Sequence, residues 1–529
     1  MTLKRKFVLV ILLLAAIAAV GLGYEVVDGK IHIVYAARQP VENLDPSIHY
    51  DWSTRNLQQS VYDALLKYVG DPPALEPWLA EKWEGSPDAT VWTFHLVKNA
   101  RFHNGDPVTA EAVKFSFERT LTLKQGPAWM LLDVLDPSGI EIVDDYTIRF
   151  HLNEPYAPFP SVVPWWYIMN PNEVMAHEVD GDYGQGWLQD HEAGSGPFTI
   201  KEWKHGEYYW LEAWDEYWKG WPNPDHIGGF IFKLVREAAT QRMMIESGEA
   251  DIVEGVTPRD FDELAKIPGI YVPEYPGMTT FGIKMNTQKG MTANPMIRKA
   301  ICYAFDYETL IDVYEGHAVL EDSPFPMATK GHVDLSQWIY RQDLAKAKEF
   351  MARAGYPDGG FELEYVYVAG LEEERLIGLA LQSSLAELGI KVNLVPLIWP
   401  QMVERGSKPE TSPDMMAVFT TPISNDPDAV AIQYHPMSAG RYYYSHWYSN
   451  PRVTYLVEQA RSISDWDARA KMYDEIQRIV LYDAPEVFGM LYNRRWALRD
   501  YVQGFRFCPV RMTSEIDMYT LYIDKSKLP

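Results

Sequence analysis

The sequence predicts an α/β protein with more than one core, and three observations carry that expectation. The chain has 529 residues, well past the length at which a single hydrophobic core stops growing, so two large lobes are expected. The helical pattern LIGLALQSSLAELG runs directly into the strand-like IKVNLVPL, which is the order of elements in a β–α unit. Ahead of them lies IPGIYVPEYPGMTTFGIKMN, strand-like in composition but broken by Pro273, Pro276 and Gly277, material suited to a crossing between lobes.

The first element is MTLKRKFVLVILLLAAIAAVGLG. Lys4, Arg5 and Lys6 form a basic head, and an apolar run follows from Phe7 to Gly23 with small residues toward its end, the pattern of an export signal. The 17 residues of that run exceed a usual signal core and just reach the length of a membrane-spanning helix. Cleavage after AIA at 16–18 or AVG at 19–21 and retention as an anchor both stay open. No cysteine follows the run, which excludes lipid attachment there, and nothing later in the chain is long and apolar enough to span a membrane.

In VWTFHLVKNARF, Val91, Thr93, His95 and Val97 alternate with Trp92, Phe94 and Leu96, the period of a strand. HNGD then reads as a turn, because Asn-Gly accepts positive φ angles. Beyond Pro107, Thr109 is placed to cap a helix, with Glu111 in its first turn and Val113, Phe117 and Leu121 as its buried stripe. His103 and Asp106 flank the turn without a third ligand in view, so they read as scaffold.

The formal charge is −25, and the basic head makes the remainder three units more negative. Such acidity argues against a nucleic-acid partner and suits a soluble exported protein. The 18 Trp and 33 Tyr serve cores and also the walls of a solute pocket. Cys302 and Cys508 are the two cysteines, too few for a disulfide framework, and both are expected to be buried and unpaired. HExxH, GxxxxGK[ST] and GxSxG are absent, and AGSGPF at 193–198 only looks like the last. DGDYGQG from Asp180 starts like a calcium loop, but Gln185 and His191 stand where Gly and Glu are required. Paired acids such as Asp144 and Asp145, or LEEER at 371–375, arise by chance among 73 acids. No catalytic or metal-binding residues and no cofactor are expected.

Several stretches together resemble one family. ALEPWLAEKWEGSPDATVWTFHLVKNARFHNGDPVTAEAVKFSFERT (74–120) is similar to the signature region of the family 5 extracellular solute-binding proteins, the oligopeptide, dipeptide and nickel receptors of ABC importers. GSGPFTIKEWKHGEYYWLEAWDEYWKG (194–220), QRMMIESGEADIVEGVTP (241–258), NPMIRKAICYAFDYETLID (294–312), DLAKAKEFMARAGYPDG (343–359) and the run from Tyr448 to Tyr492 resemble further segments of that family, in its order.

The resemblance implies a two-lobed clamp of the type II periplasmic-binding-protein kind, with an extra subdomain on the first lobe. Its divisions are 1–23 as signal peptide or anchor, 24–276 as lobe I with the subdomain at about 53–189, 277–490 as lobe II, and 491–529 returning to lobe I. It implies an exported, monomeric receptor on the periplasmic or outer face of the cell membrane. That receptor would capture a peptide by lobe closure and deliver it to ABC permease subunits. An oligosaccharide is the alternative ligand. An extracellular carbohydrate-active enzyme and a membrane-anchored sensor are the alternative classes.

Regions that approach ligand in relatives nominate Trp399, Tyr443, His446, Trp447 and Tyr492 as contacts. Peptide-binding relatives hold the ligand's α-amino group with an aspartate just ahead of an Asp-Pro pair. Here Ile423 or Ser424 occupies that point, so either the loop shifts and Asp426 serves, or the amine is not recognised. The second option favours sugar rings stacked on aromatic faces.

Overall fold

Two sheets organise the chain. The computed structural model describes residues 24–27, 29–511 and 515–528, so the N-terminal segment 1–23 lies outside the described residues. The first sheet centres on Lys30–Ala37, with Gly229–Leu234 parallel to it on one side and Ile252–Val253 on the other. Ile33, Tyr35 and Ala37 enter one core while Val34 and Ala36 enter another, so this strand is apolar at successive positions because both of its faces are covered. The second sheet has the order Ala318–Leu320, Glu486–Arg495, Glu274–Met285, Met415–Thr420, Phe361–Val368, Ile390–Leu397. Its last two strands are parallel and are joined through helix Glu372–Ala386, the β–α unit that the sequence announces.

The chain changes sheets twice. Ile270–Tyr271 pairs in the first sheet and Glu274–Met285 in the second; Glu486–Arg495 pairs in the second and Ala497–Arg499 in the first. The crossing strand is one twelve-residue element rather than several broken pieces. Pro276 and Gly277 fall where its register against Glu486–Arg495 slips, between Pro276 and Thr280. At the crossing the two passages pair with each other, Glu274 with Arg495 and Tyr275 with Arg494, so a two-stranded ribbon is the mechanical link between the lobes.

A third layer is the antiparallel sheet Ala80–Gly85, Val91–Leu96, Thr147–His151, Ile140–Asp144, which packs with helix Ala110–Leu123 around its own core. Val113, Phe117 and Leu121 are buried there; Thr109 sits at the N-cap position but its side chain makes no capping bond. His103 is scaffold, though tied rather than solvated: Nδ1 meets Glu192 Oε1 at 2.7 Å and Nε2 meets the Gly196 carbonyl at 2.9 Å. Cys302 lies in the second lobe's core, and Cys508 in a small cluster with Tyr68, Met278 and Val510; both are free thiols.

Candidate functional site: the cleft between the lobes

Phe361–Val368, Ile390–Leu397 and Met415–Thr420 run parallel, so their carboxyl ends share one edge, where open α/β sheets place ligands. Helix Trp399–Gly406 and the loop 421–428 spring from that edge. They face the first lobe across a cleft. Trp165 Nε1 donates to the Ile423 carbonyl at 2.6 Å, Asn425 Nδ2 to the Pro73 carbonyl at 2.6 Å, and the Ala157 amide to the Arg461 carbonyl at 2.7 Å.

One cavity is lined from both lobes, and two more lie in the first lobe's wall. Beside the ribbon is one of about 330 Å³, lined from the first lobe by Arg38, Gln39, Glu254 and Phe261, from the second by Tyr314, His317 and Tyr492, and from the ribbon by Asn493, Arg494 and Arg495. An open groove of about 580 Å³ continues from the same Gln39 past Glu42, His49, Tyr50 and Asp51. A small pocket of about 50 Å³ lies between Arg55, Lys67, Trp165, Tyr167, Arg511 and Glu515.

The electrostatics differ between these spaces. At the ribbon, Asp262 of the first lobe receives Arg495 Nη2 at 2.6 Å and sits 3.2 Å from His317 Nε2 of the second, while His317 Nδ1 lies 2.9 Å from Glu274. Burial pushes both carboxyls up. Arg495 and His317 on Asp262, and Asn493 and His317 on Glu274, more than offset it and hold them below their ordinary values. Around the small pocket, Arg55 pairs with Glu515 at 2.6 Å, and Asp517 takes Lys67 at 3.1 Å and Arg511 at 2.9 Å. Burial opposes ionisation of Asp517, yet Lys67 and Arg511 hold it well below the carboxylate range. Arg55 also lies over the Trp165 ring, 3.8 Å from its centroid, and Trp165 is edge-on to Tyr50 at 5.9 Å, which builds an aromatic wall with a cationic edge.

The nominated residues are scattered. Tyr492 lines the cavity beside the ribbon, stacked on Tyr314 at 6.1 Å and edge-on to Phe419. Trp399 opens its helix 45 % exposed, edge-on to Tyr442 at 5.0 Å, and Tyr443 is half-buried beside Val366, Met402 and Met416. The others do not fit a contact role. Asp426 is buried against Arg469 Nη2 at 2.7 Å, so the loop does not shift it into place for a ligand amine. His446 is fully buried, stacked on Tyr434, and its Nδ1 accepts the Tyr448 amide at 3.0 Å; burial pushes its pKa well down, leaving a neutral core ring. Trp447 belongs to the far end of the second sheet, where its carbonyl accepts from Thr287 Oγ1 at 2.8 Å and Gln288 Nε2 at 3.0 Å, just past the end of Glu274–Met285. Gln39, Tyr50, Trp165 and Arg494 were missed.

Comparison with known proteins agrees with this architecture. The profile of bacterial extracellular solute-binding proteins, family 5 (middle region), matches residues 74–441. A relative in Escherichia coli K12, the probable D,D-dipeptide-binding periplasmic protein DdpA, is 30% identical over 89% of this chain and 90% of its own. Among solved structures, HbpA2 from Haemophilus parasuis superposes with a TM-score of 0.83 at 27% identity, over 93% of this chain and all of that one. The periplasmic binding protein DppA from Helicobacter pylori, in complex with the peptide STSA, gives 0.73 at 25%, over 93% and 98%. With its two sheets, its double crossing and its cleft, the chain belongs to the family 5 bacterial extracellular solute-binding proteins.

Proposed function

We propose that the chain is the extracytoplasmic receptor of an ABC importer, capturing peptides between its lobes and presenting them to permease subunits in the membrane. The observation that carries this is a cleft walled from both lobes and linked by only a two-stranded ribbon, in a chain of a solute-binding family. Contacts that a ligand completes only when both walls reach it stabilise the closed form over the open one. Peptide is the ligand class because the DdpA and DppA relatives are named for or solved with peptides. The receptor acts as a monomer on the outer side of the membrane, released after signal cleavage or held by segment 1–23, and it returns its ligand chemically unchanged.

Titration calorimetry of the purified protein against di- to pentapeptides, with matched oligosaccharides in parallel, tests the reading. Saturable binding of peptides supports it. Binding confined to oligosaccharides would favour the aromatic wall of Tyr50 and Trp165 as a sugar platform. Mass spectrometry of the recovered ligand showing a cleaved bond would replace the receptor by an enzyme.

A further inference from the structure

Arg494 is the cleft residue whose charge the fold leaves unanswered. It stands on the ribbon opposite Tyr275 and is 3 % exposed. Its Nη2 donates to Thr279 Oγ1 at 3.1 Å, and that hydroxyl meets the Thr421 hydroxyl at 2.9 Å. Nε and Nη1 have no hydrogen-bond partner among the described residues. The acid whose charge reaches it, Glu515, bonds Arg55 through Oε1 at 2.6 Å and makes no hydrogen bond to Arg494. Burial pushes the guanidinium pKa down, but an arginine stays charged, and a buried cation with no carboxylate bonded to it opposes folding. The neighbouring cations are each bonded to an acid: Arg55 to Glu515, Lys67 and Arg511 to Asp517, and Arg495 to Asp262.

The loop beside it completes the case. Thr421 leads to Ile423 and Ser424, neither of them an acid, at the point where the family resemblance implies an aspartate for an α-amino group. The nearby Asp426 is spent on Arg469, and Asp51 in the groove caps helix Trp52–Val61 through the Ser53 and Thr54 amides. We propose that the anchoring charge of this cleft is inverted: Arg494 holds an anionic group of the solute, the carboxylate of a peptide if the reading above is right, and the solute's amine is not a requirement. A carboxylate delivered to Nε and Nη1 would make the paired, charge-assisted contact a guanidinium is shaped for.

The test uses the mature protein and R494Q and R494K, each checked for thermal unfolding. Peptides of two to four residues are titrated in free, N-acetylated and C-amidated forms, beside non-peptide carboxylic acids and their primary amides. The expected result is that free and N-acetylated peptides bind alike, amides bind about thirtyfold more weakly or worse, R494Q loses the acid preference, and R494K keeps part of it. R494Q should melt no lower than wild type without ligand, since it removes an unpaired buried charge. Amides within about threefold of acids, or R494Q at wild-type affinity, would overturn the proposal. If no peptide binds but non-peptide acids do, with the same dependence on Arg494, the peptide reading falls and this one stands. If no acid of either series binds, this one falls.

Discussion

Asp426 and His103 show how single charged groups in this molecule are committed to structure. The Asp426–Arg469 pair at 2.7 Å is buried on both sides, so removing the carboxylate strands a cation in the core. D426A is expected to lose about 3–5 kcal/mol of unfolding free energy while affinity per folded molecule stays near wild type, the reverse of what a ligand anchor would give. Urea titration beside calorimetry separates the two. For His103, burial opposes the charged form but the Glu192 carboxylate and the Gly196 carbonyl outweigh it, so its pKa is raised. A raised pKa contributes stability that is fully present below the unfolded value of about 6.5 and is lost as pH rises through the folded value. Wild type should therefore lose more stability than H103Q between about pH 5.5 and 8.5. Parallel slopes for the two proteins would show that the imidazole is not charged in the native state.

At the scale of elements, the cleft depends on which segments meet across it, and Trp165 supplies one of the direct bonds between the walls. W165F keeps a ring against Arg55 and Tyr50 but removes the donor to the Ile423 carbonyl. A neutral hydrogen bond of about 0.5–1.5 kcal/mol should be lost from the closed form, so affinity should fall about two- to tenfold. Small-angle scattering without ligand should show a more extended average shape; an unchanged profile and affinity would mean the contact does not bias closure. The same elements show what the sequence could and could not say. Strand Val91–Leu96, helix Ala110–Leu123 and the helix–strand unit ending at Leu397 were legible because their buried positions recur at local periods. Glu274–Met285 read as broken because its continuity comes from pairing with Glu486–Arg495, about two hundred residues away, which no local pattern encodes. In YYYSHWY, consecutive aromatics carry no period, so nothing distinguished the core ring of His446 from the half-buried one of Tyr443. Arg494 was missed for a related reason: an arginine in a strand reads as surface, and only the fold buries it.

On the scale of the whole molecule, the argument turns on coupling. Each lobe has its own core, and the covalent link is the paired ribbon at 274–276 and 493–495, supported by the contacts of loop 421–425 and of 461–464 with the subdomain. Without ligand, the two cores joined by this ribbon are expected to unfold with separate midpoints. A solute that touches only one lobe stabilises that lobe alone; one held by Trp165 and Arg55 on one side and by Arg494 and Tyr492 on the other links the two. At a free concentration a hundred times Kd, a ligand that binds only the native form adds about 2.7 kcal/mol, and because unfolding of either lobe releases it, both transitions should move upward together. Calorimetric scans across a ligand series should therefore show two transitions converging toward one as concentration rises, with the profile of R494Q staying close to its ligand-free form. A ligand that raised one midpoint and left the other fixed would place the solute on a single lobe and end the clamp mechanism for this chain.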